Sequence, residues 1–363
     1  MPLPADLSAL SMLRFIFCVL PAFGWAADLT LLVQDGTTVS GQPTLSGTNL
    51  TLGSSTVPLA KVVGISGAAA TPSWIDQGLV LANGDHLRGT ILGLQKGTFS
   101  CVSDLLGAID IPVGDLSTVI LVPRRAGEAL PPGFTGALFV NGDRLPGKLA
   151  YIDERNIGID NGRKVLAIPR ERVGMVVLRP IAISTTANQV LRLANGDRVS
   201  GQLKAWGPTG LDVTTARGVV HCATGELSSL WNEGASFVPF TANGMSGLMP
   251  GVAVDALPNG MPLVAGSRRY GHGLGIRGAA SLSVTSDGTI NALIGEVAVL
   301  EGRAKVQVQA DEKIVWESGT LAAGEVAKPF TAVVTGAKQI QILTVVVDES
   351  LPLTVVGWPT LVK

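Results

Sequence analysis

Between residues 29 and 235 the sequence repeats one short phrase, and that phrase restricts the chain to turns and strands. Three clear copies are Leu81-Ala82-Asn83-Gly84-Asp85-His86-Leu87-Arg88-Gly89, Phe139-Val140-Asn141-Gly142-Asp143-Arg144-Leu145-Pro146-Gly147 and Leu193-Ala194-Asn195-Gly196-Asp197-Arg198-Val199-Ser200-Gly201. A weaker first copy runs from Leu32 to Gly41 around Asp35-Gly36. Asn-Gly between apolar runs is a tight-hairpin signal, because both residues tolerate positive φ. A helix cannot carry such a phrase in its interior. The first three copies each close with an apolar-Pro start and an alternating tail: Val57-Pro58, Ile111-Pro112 and Ile168-Pro169. The fourth closes instead on Gly225–Trp231. Alternation of this kind marks half-buried strands.

Composition agrees with many short strands and few helices. The 363 residues include 45 glycines and 46% hydrophobic residues, with only 15% charged. The expected class is all-β: tandem small SH3-like or Sm-like β-barrels or curled sheets, followed by a jelly-roll-like β-sandwich. The expected divisions are 27–70, 71–125, 126–181 and 182–235 for the four repeats and 236–363 for the sandwich with its lead-in. The repeated Asp reads as a turn carboxylate, since no His, Glu or second Asp recurs beside it to make a site.

Residues 1–26 read as a secretory signal. Arg14 precedes the short apolar run Phe15–Phe23, and small residues stand at Gly24 and Ala26. The expected location is secreted or periplasmic, with no stable membrane span after cleavage. Cys101 and Cys222 then remain, either as a disulfide or as two buried thiols. A net charge of -1 argues against nucleic acid as a partner.

From Arg268 the pattern changes. Arg268–Gly275 reads RRYGHGLG, and a run of alternating strands follows to Lys363, separated by turn signals such as Asp287-Gly288, Glu301-Gly302 and Asp311-Glu312. Tyr270–Gly275, Gly295-Glu296-Val297, Val306–Trp316, Gly336 with Ile340–Val347, and Trp358 together resemble the phrases of the NPCBM family. That family is a carbohydrate-binding module first noted beside family 98 glycoside hydrolases. The resemblance covers Asp255–Lys363. It departs at Arg277, where many members have His, at Glu296, where Asp is usual, and at Val356-Gly357-Trp358.

The resemblance implies a sandwich that binds a terminal galactose-type sugar on a glycan. Relatives in carbohydrate-binding module family 51 also carry a structural calcium, which would fall to turn acids such as Asp311, Glu312, Asp348 and Glu349; the residues themselves call for no cofactor. Sugar recognition needs an aromatic face and planar polar groups. The candidates are Tyr270, His272, Arg268, Arg269, Trp316 and Trp358. For Trp316 and Trp358, core packing is the competing reading. Beyond the glycan, expected partners are other exported proteins or a glycoside hydrolase.

An enzyme is not expected. The three histidines, His86, His221 and His272, lie in no catalytic phrase, and no phosphate loop or nucleophile elbow is present. Two readings stay open: a sugar-binding protein with a repeat stalk, and a structural or protein-interaction protein whose sandwich has lost its ligand. An exposed aromatic beside polar groups would favour the first. Burial of Tyr270, His272 and Trp358 would favour the second.

Overall fold

The computed structural model describes residues 29–67, 74–125, 134–181, 188–242 and 250–363. The leader expected at 1–26 lies outside the described residues. Among those described, helix is confined to five 3-10 turns, each of three residues. No helix among them is long and apolar enough to cross a membrane.

In all four copies of the phrase the glycine takes a left-handed φ: +85° at Gly36, +86° at Gly84, +89° at Gly142 and +95° at Gly196. The preceding side chain caps the turn. Asn83 Oδ1 accepts from the Asp85 amide at 3.1 Å, and Asn195 Oδ1 from the Asp197 amide at 3.0 Å. Asp35 Oδ1 does the same for the Thr37 amide at 2.9 Å.

The second stretch shows the plan. Gly78–Leu81, His86–Gln95, Thr98–Ser103 and Gly107–Pro112 run as an antiparallel meander. Pro112 fixes the chain for the 3-10 turn Val113–Asp115, and Leu116–Ile120 returns to pair with Gly78–Leu81. The same return joins Val62–Ser66 to Leu29–Val33, Val173–Val177 to Gly136–Phe139, and Leu227–Glu233 to Asn188–Leu193. Among the described strands, none pairs across the 3-10 turn, so each sheet curls but stays open. The curled sheet is what forms, not the closed barrel.

The returning strands also pair with each other. Leu227–Glu233 lies antiparallel to Val62–Ser66, with Leu230 opposite Ile65. Leu116–Ile120 lies antiparallel to Val173–Val177, with Val119 opposite Val176. The first stretch therefore joins the fourth, and the second joins the third. Each union buries an apolar core, one around Leu31, Ile65, Leu191 and Leu230, the other around Leu79, Val119, Ala137 and Val176. Cys101 and Cys222 are separate buried thiols, and burial pushes them up to about 11 and about 12. Their disulfide does not form.

The C-terminal part is a two-layer sandwich. One sheet runs Val252–Val254, Gly273–Arg277, Leu353–Val362, Ala292–Glu301, Lys328–Val333. The lead-in strand Phe237–Pro239 also pairs with Leu353–Val362. The other sheet runs Ala280–Thr285, Gln339–Val346, Arg303–Ala310, Lys313–Ala322. Leu282, Val297, Val306, Ile342 and Val356 fill the space between them.

All ten residues of Leu353–Val362 are buried, because the first sheet is covered on both faces. Its outer face, with Ile294, Ala298, Val355 and Trp358, packs on Leu32, Val63, Val190 and Trp231. The sandwich is thus seated on the joint between the first and fourth stretches.

Candidate functional site

The phrase Arg268–Gly275 lies in that seat. Arg268–Arg269 pairs with Val264–Ala265, and Gly273–Arg277 enters the sandwich beside Leu353–Val362. Three of the six candidate residues are buried here: Tyr270 is 2% exposed, His272 4% and Trp358 0%. None of the three presents a face to solvent. The physical reason is that the outer sheet face is apolar and meets an equally apolar partner.

The contact is closely fitted. A Cβ on Gly64 would stand 2.6 Å from the Trp358 ring, and one on Gly271 would stand 2.2 Å from the Trp231 ring. Only glycine allows these approaches. Trp358 itself holds φ +48° at a bulge opposite Ala292–Glu301, which turns its side chain to the outer face. Tyr270 meets Trp358 edge-on with centroids 5.0 Å apart, and Trp231 lies over His272 at 5.5 Å. The Arg269 amide donates to Ser66 Oγ at 2.6 Å.

Two polar clusters flank the aromatic contact. In the first, the Tyr270 hydroxyl donates to Glu296 Oε2 at 2.9 Å, and Arg268 Nη2 stands 3.6 Å from Glu296 Oε1. Glu296 is wholly buried. Burial raises its carboxyl, against the pull of the Arg268 guanidinium and the Tyr270 hydroxyl. Burial and the nearby Glu296 carboxylate push Tyr270 well above the usual phenol range. Arg268 Nη1 and Glu296 Oε1 find no hydrogen-bond partner among the described residues.

The second cluster surrounds His272. Neither ring nitrogen has a hydrogen-bond partner among the described residues. Burial, then the Arg198 and Arg192 guanidinium groups, push it down to about 3. Arg198 pairs with Glu233 at 2.9 Å and Asp85 at 3.3 Å and lies 5.7 Å from the Trp231 ring centre. Asp255 accepts from the Gly273 amide at 2.9 Å. Burial raises the Asp255 carboxyl, while Arg192 opposes the rise.

The structure therefore brings Arg268, Tyr270, His272 and Trp358 together, with Arg269 at the edge. Trp316 is elsewhere, half-buried on the other sheet and 4.8 Å from Phe330 between ring centres. Glu296 was legible as a departure from the resembled phrase. Arg192, Arg198 and Trp231 were not, since they reach the site from strands far off in sequence; nor was Asp255, which follows the strand Val252–Val254. Arg277, at another departure, pairs with Glu301 at 2.9 Å.

Two of the turn acids are taken up by backbone amides, Asp311 by those of a neighbouring turn and Asp348 by that of its own. Asp311 Oδ1 accepts from the Lys338 and Gln339 amides at 2.9 and 2.8 Å, and Asp348 Oδ1 from the Ser350 amide at 3.1 Å. Among the described residues, no group of three His, Cys, Asp or Glu is placed to hold a metal ion.

No curated protein matches the chain. Solved structures similar to it include three with CBM51 modules. The CBM51 of Clostridium perfringens GH95, in complex with methyl-galactose, is 14% identical, covers 35% of this chain and 99% of its own, and has a TM-score of 0.31. The tandem CBM51 modules of the family 98 glycoside hydrolase from Streptococcus pneumoniae are 13% identical, cover 80% and 88%, and have a TM-score of 0.32. The CBM51-2, in complex with GlcNAc, and INT domains of Clostridium perfringens ZmpB are 13% identical, cover 46% of this chain and 43% of theirs, and have a TM-score of 0.32. Residues 236–354, less than half of the chain, match the NPCBM/NEW2 domain, so the sandwich and its lead-in are the part of the chain that carries this family's pattern.

Proposed function

We propose that the chain is a non-catalytic, exported carbohydrate-binding protein whose C-terminal sandwich takes a terminal galactose-type sugar. The observation that carries this is the match of residues 236–354 to the NPCBM/NEW2 domain. On this reading Tyr270, His272 and Trp358 are the packed base of the site. The sugar-facing group is Arg268, whose side chain keeps 14% of its surface open.

A glycan array with the full chain, with and without calcium, tests the proposal. The expected result is calcium-independent binding to terminal galactosides, weakened at least tenfold by Arg268→Ala. Export follows from the leader read at residues 1–26. N-terminal sequencing of the protein recovered outside the cytoplasm should begin near Ala27.

The second reading, a structural or protein-interaction protein, is favoured by one observation: the three residues best suited to hold a sugar are buried against residues 29–66 and 188–233. A folded chain that retains no glycan at millimolar concentration supports that reading in place of the first.

A further inference from the structure

The Asn-Gly-Asp turns of the second and fourth stretches are locked together. Asp85 Oδ2 accepts from Ser200 Oγ and from Asn83 Nδ2, each at 2.9 Å. Asp85 Oδ1 takes Arg198 Nη1 at 3.3 Å. In return, Asp197 Oδ1 accepts the Arg88 amide at 2.5 Å. Further out, Arg217 Nη2 crosses to Asp115 Oδ2 at 3.2 Å. These bonds tie the two stretches on two sides of one cleft.

The cleft has a volume of about 410 Å³, within the range of small-molecule sites at ~300–1,000 Å³. Leu81, Leu87, Leu106 and Val199 supply apolar lining, and Gln202 and Thr214 supply an exposed amide and a hydroxyl. Its charged lining residues are paired: Asp85 with Arg198, and Asp115 with Arg217. A lone anion or cation would find no free countercharge among these lining residues. The groups left to bind a ligand are an amide and a hydroxyl, which both donate and accept.

The geometry points to a second ligand site in this cleft, for a neutral saccharide of one or two rings. A pyranose has C–H faces that rest on aliphatic side chains and an edge of hydroxyls that both donate and accept. The walls are fixed by the Asp85 and Asp197 bonds before any ligand arrives, which lowers the ordering cost of binding. No lining residue comes from 236–354, so the site stands apart from the sandwich and does not depend on its proposed sugar binding.

The test uses the full chain and saturation-transfer NMR with calorimetry. The probes are the methyl glycosides of galactose, glucose and N-acetylglucosamine, with lactose and cellobiose. Ala216 lines the cleft from an exposed position, so Ala216→Trp fills it from outside. At least one probe should bind with Kd of order millimolar. Ala216→Trp should weaken it at least tenfold, and Gln202→Ala about fivefold, which keeps the test open should the tryptophan variant misfold. Binding by none of the probes overturns the inference. So does binding that survives both cleft variants and is lost in Arg268→Ala, because the sugar then sits at the sandwich.

Discussion

His272 illustrates what burial does to one residue. The imidazole lies beside Trp231 and within the field of the cations Arg198 and Arg192, with both nitrogens short of partners among the described residues. Asp255 and Glu233 are the carboxylates of the same cluster, and Arg268 and Arg269 stand on its own segment. In the folded chain His272 is neutral down to about pH 3, whereas unfolded it gains its proton near 6.5. The unfolded state therefore binds more protons between those values, and stability falls as pH falls through that window. His272→Phe removes this dependence and two unpartnered nitrogens at similar volume. We expect the variant to match or exceed the native stability at pH 7. Its advantage should grow by up to about 1.4 kcal/mol per pH unit below 6.5, read by urea unfolding. Subtracting the two proteins at each pH cancels the common titration of Asp85, Asp197 and Glu296. Parallel pH curves would mean that His272 is solvated. The sequence marked Tyr270 and His272 as special through the glycines around them. It did not show them buried, because what buries them includes Ser66, Trp231 and Arg198, brought in by long-range pairing.

At the scale of elements, one phrase recurs with unequal consequences. Asp143 is exposed and, among the described residues, bonds only within its own turn, through its amide to Asn141 Oδ1 and its carboxylate to Asn141 Nδ2. Asp197 is fully buried and also accepts the Arg88 amide from another stretch. Burial raises the Asp197 carboxyl, so the acceptor oxygen matters more there than the charge. Asp197→Ala leaves the part-buried Arg88 amide without its acceptor and should cost about 1–3 kcal/mol. Asp143→Ala should stay within about 0.5 kcal/mol. Asp197→Asn keeps one acceptor oxygen for the Arg88 amide, sets its NH2 against Asn195 Nδ2, and should recover part of the loss. Equal costs for the two alanine variants in thermal or urea unfolding would remove the proposed lock between turns. The hairpins were legible in the sequence because Asn-Gly chemistry is local. Their partners were not: nothing in three near-identical phrases says that the second meets the fourth while the third stays exposed.

At the scale of the molecule, the all-β class was legible from glycine, turn phrases and alternation, and the sandwich from its strand run and family-like phrases. The seating of one on the other was not legible, because both faces of Leu353–Val362 read simply as apolar. That seat can be tested at a single atom. Gly64 and Gly174 both lie in returning strands, Val62–Ser66 and Val173–Val177, and neither takes a left-handed φ. A Cβ on Gly174 would meet its nearest neighbour at 3.5 Å, an ordinary contact. A Cβ on Gly64 would press into the Trp358 ring at 2.6 Å. Neither the strand nor the sheet can shift cheaply, since Val62–Ser66 is paired on both sides and Trp358 is held by the His272 carbonyl through its amide. Gly64→Ala should therefore cost about 1–3 kcal/mol from overpacking and move the tryptophan emission to the red as Trp358 leaves its seat. Gly174→Ala should change stability by less than about 0.5 kcal/mol and leave the emission unchanged. If Gly64→Ala is as silent as its counterpart, the sandwich is not seated on the first stretch. Tyr270, His272 and Trp358 would then face solvent and return as sugar-binding candidates. A penalty confined to Gly64 would keep those three residues in the joint and leave Arg268 and the cleft near Asp85 as the places to look for a sugar.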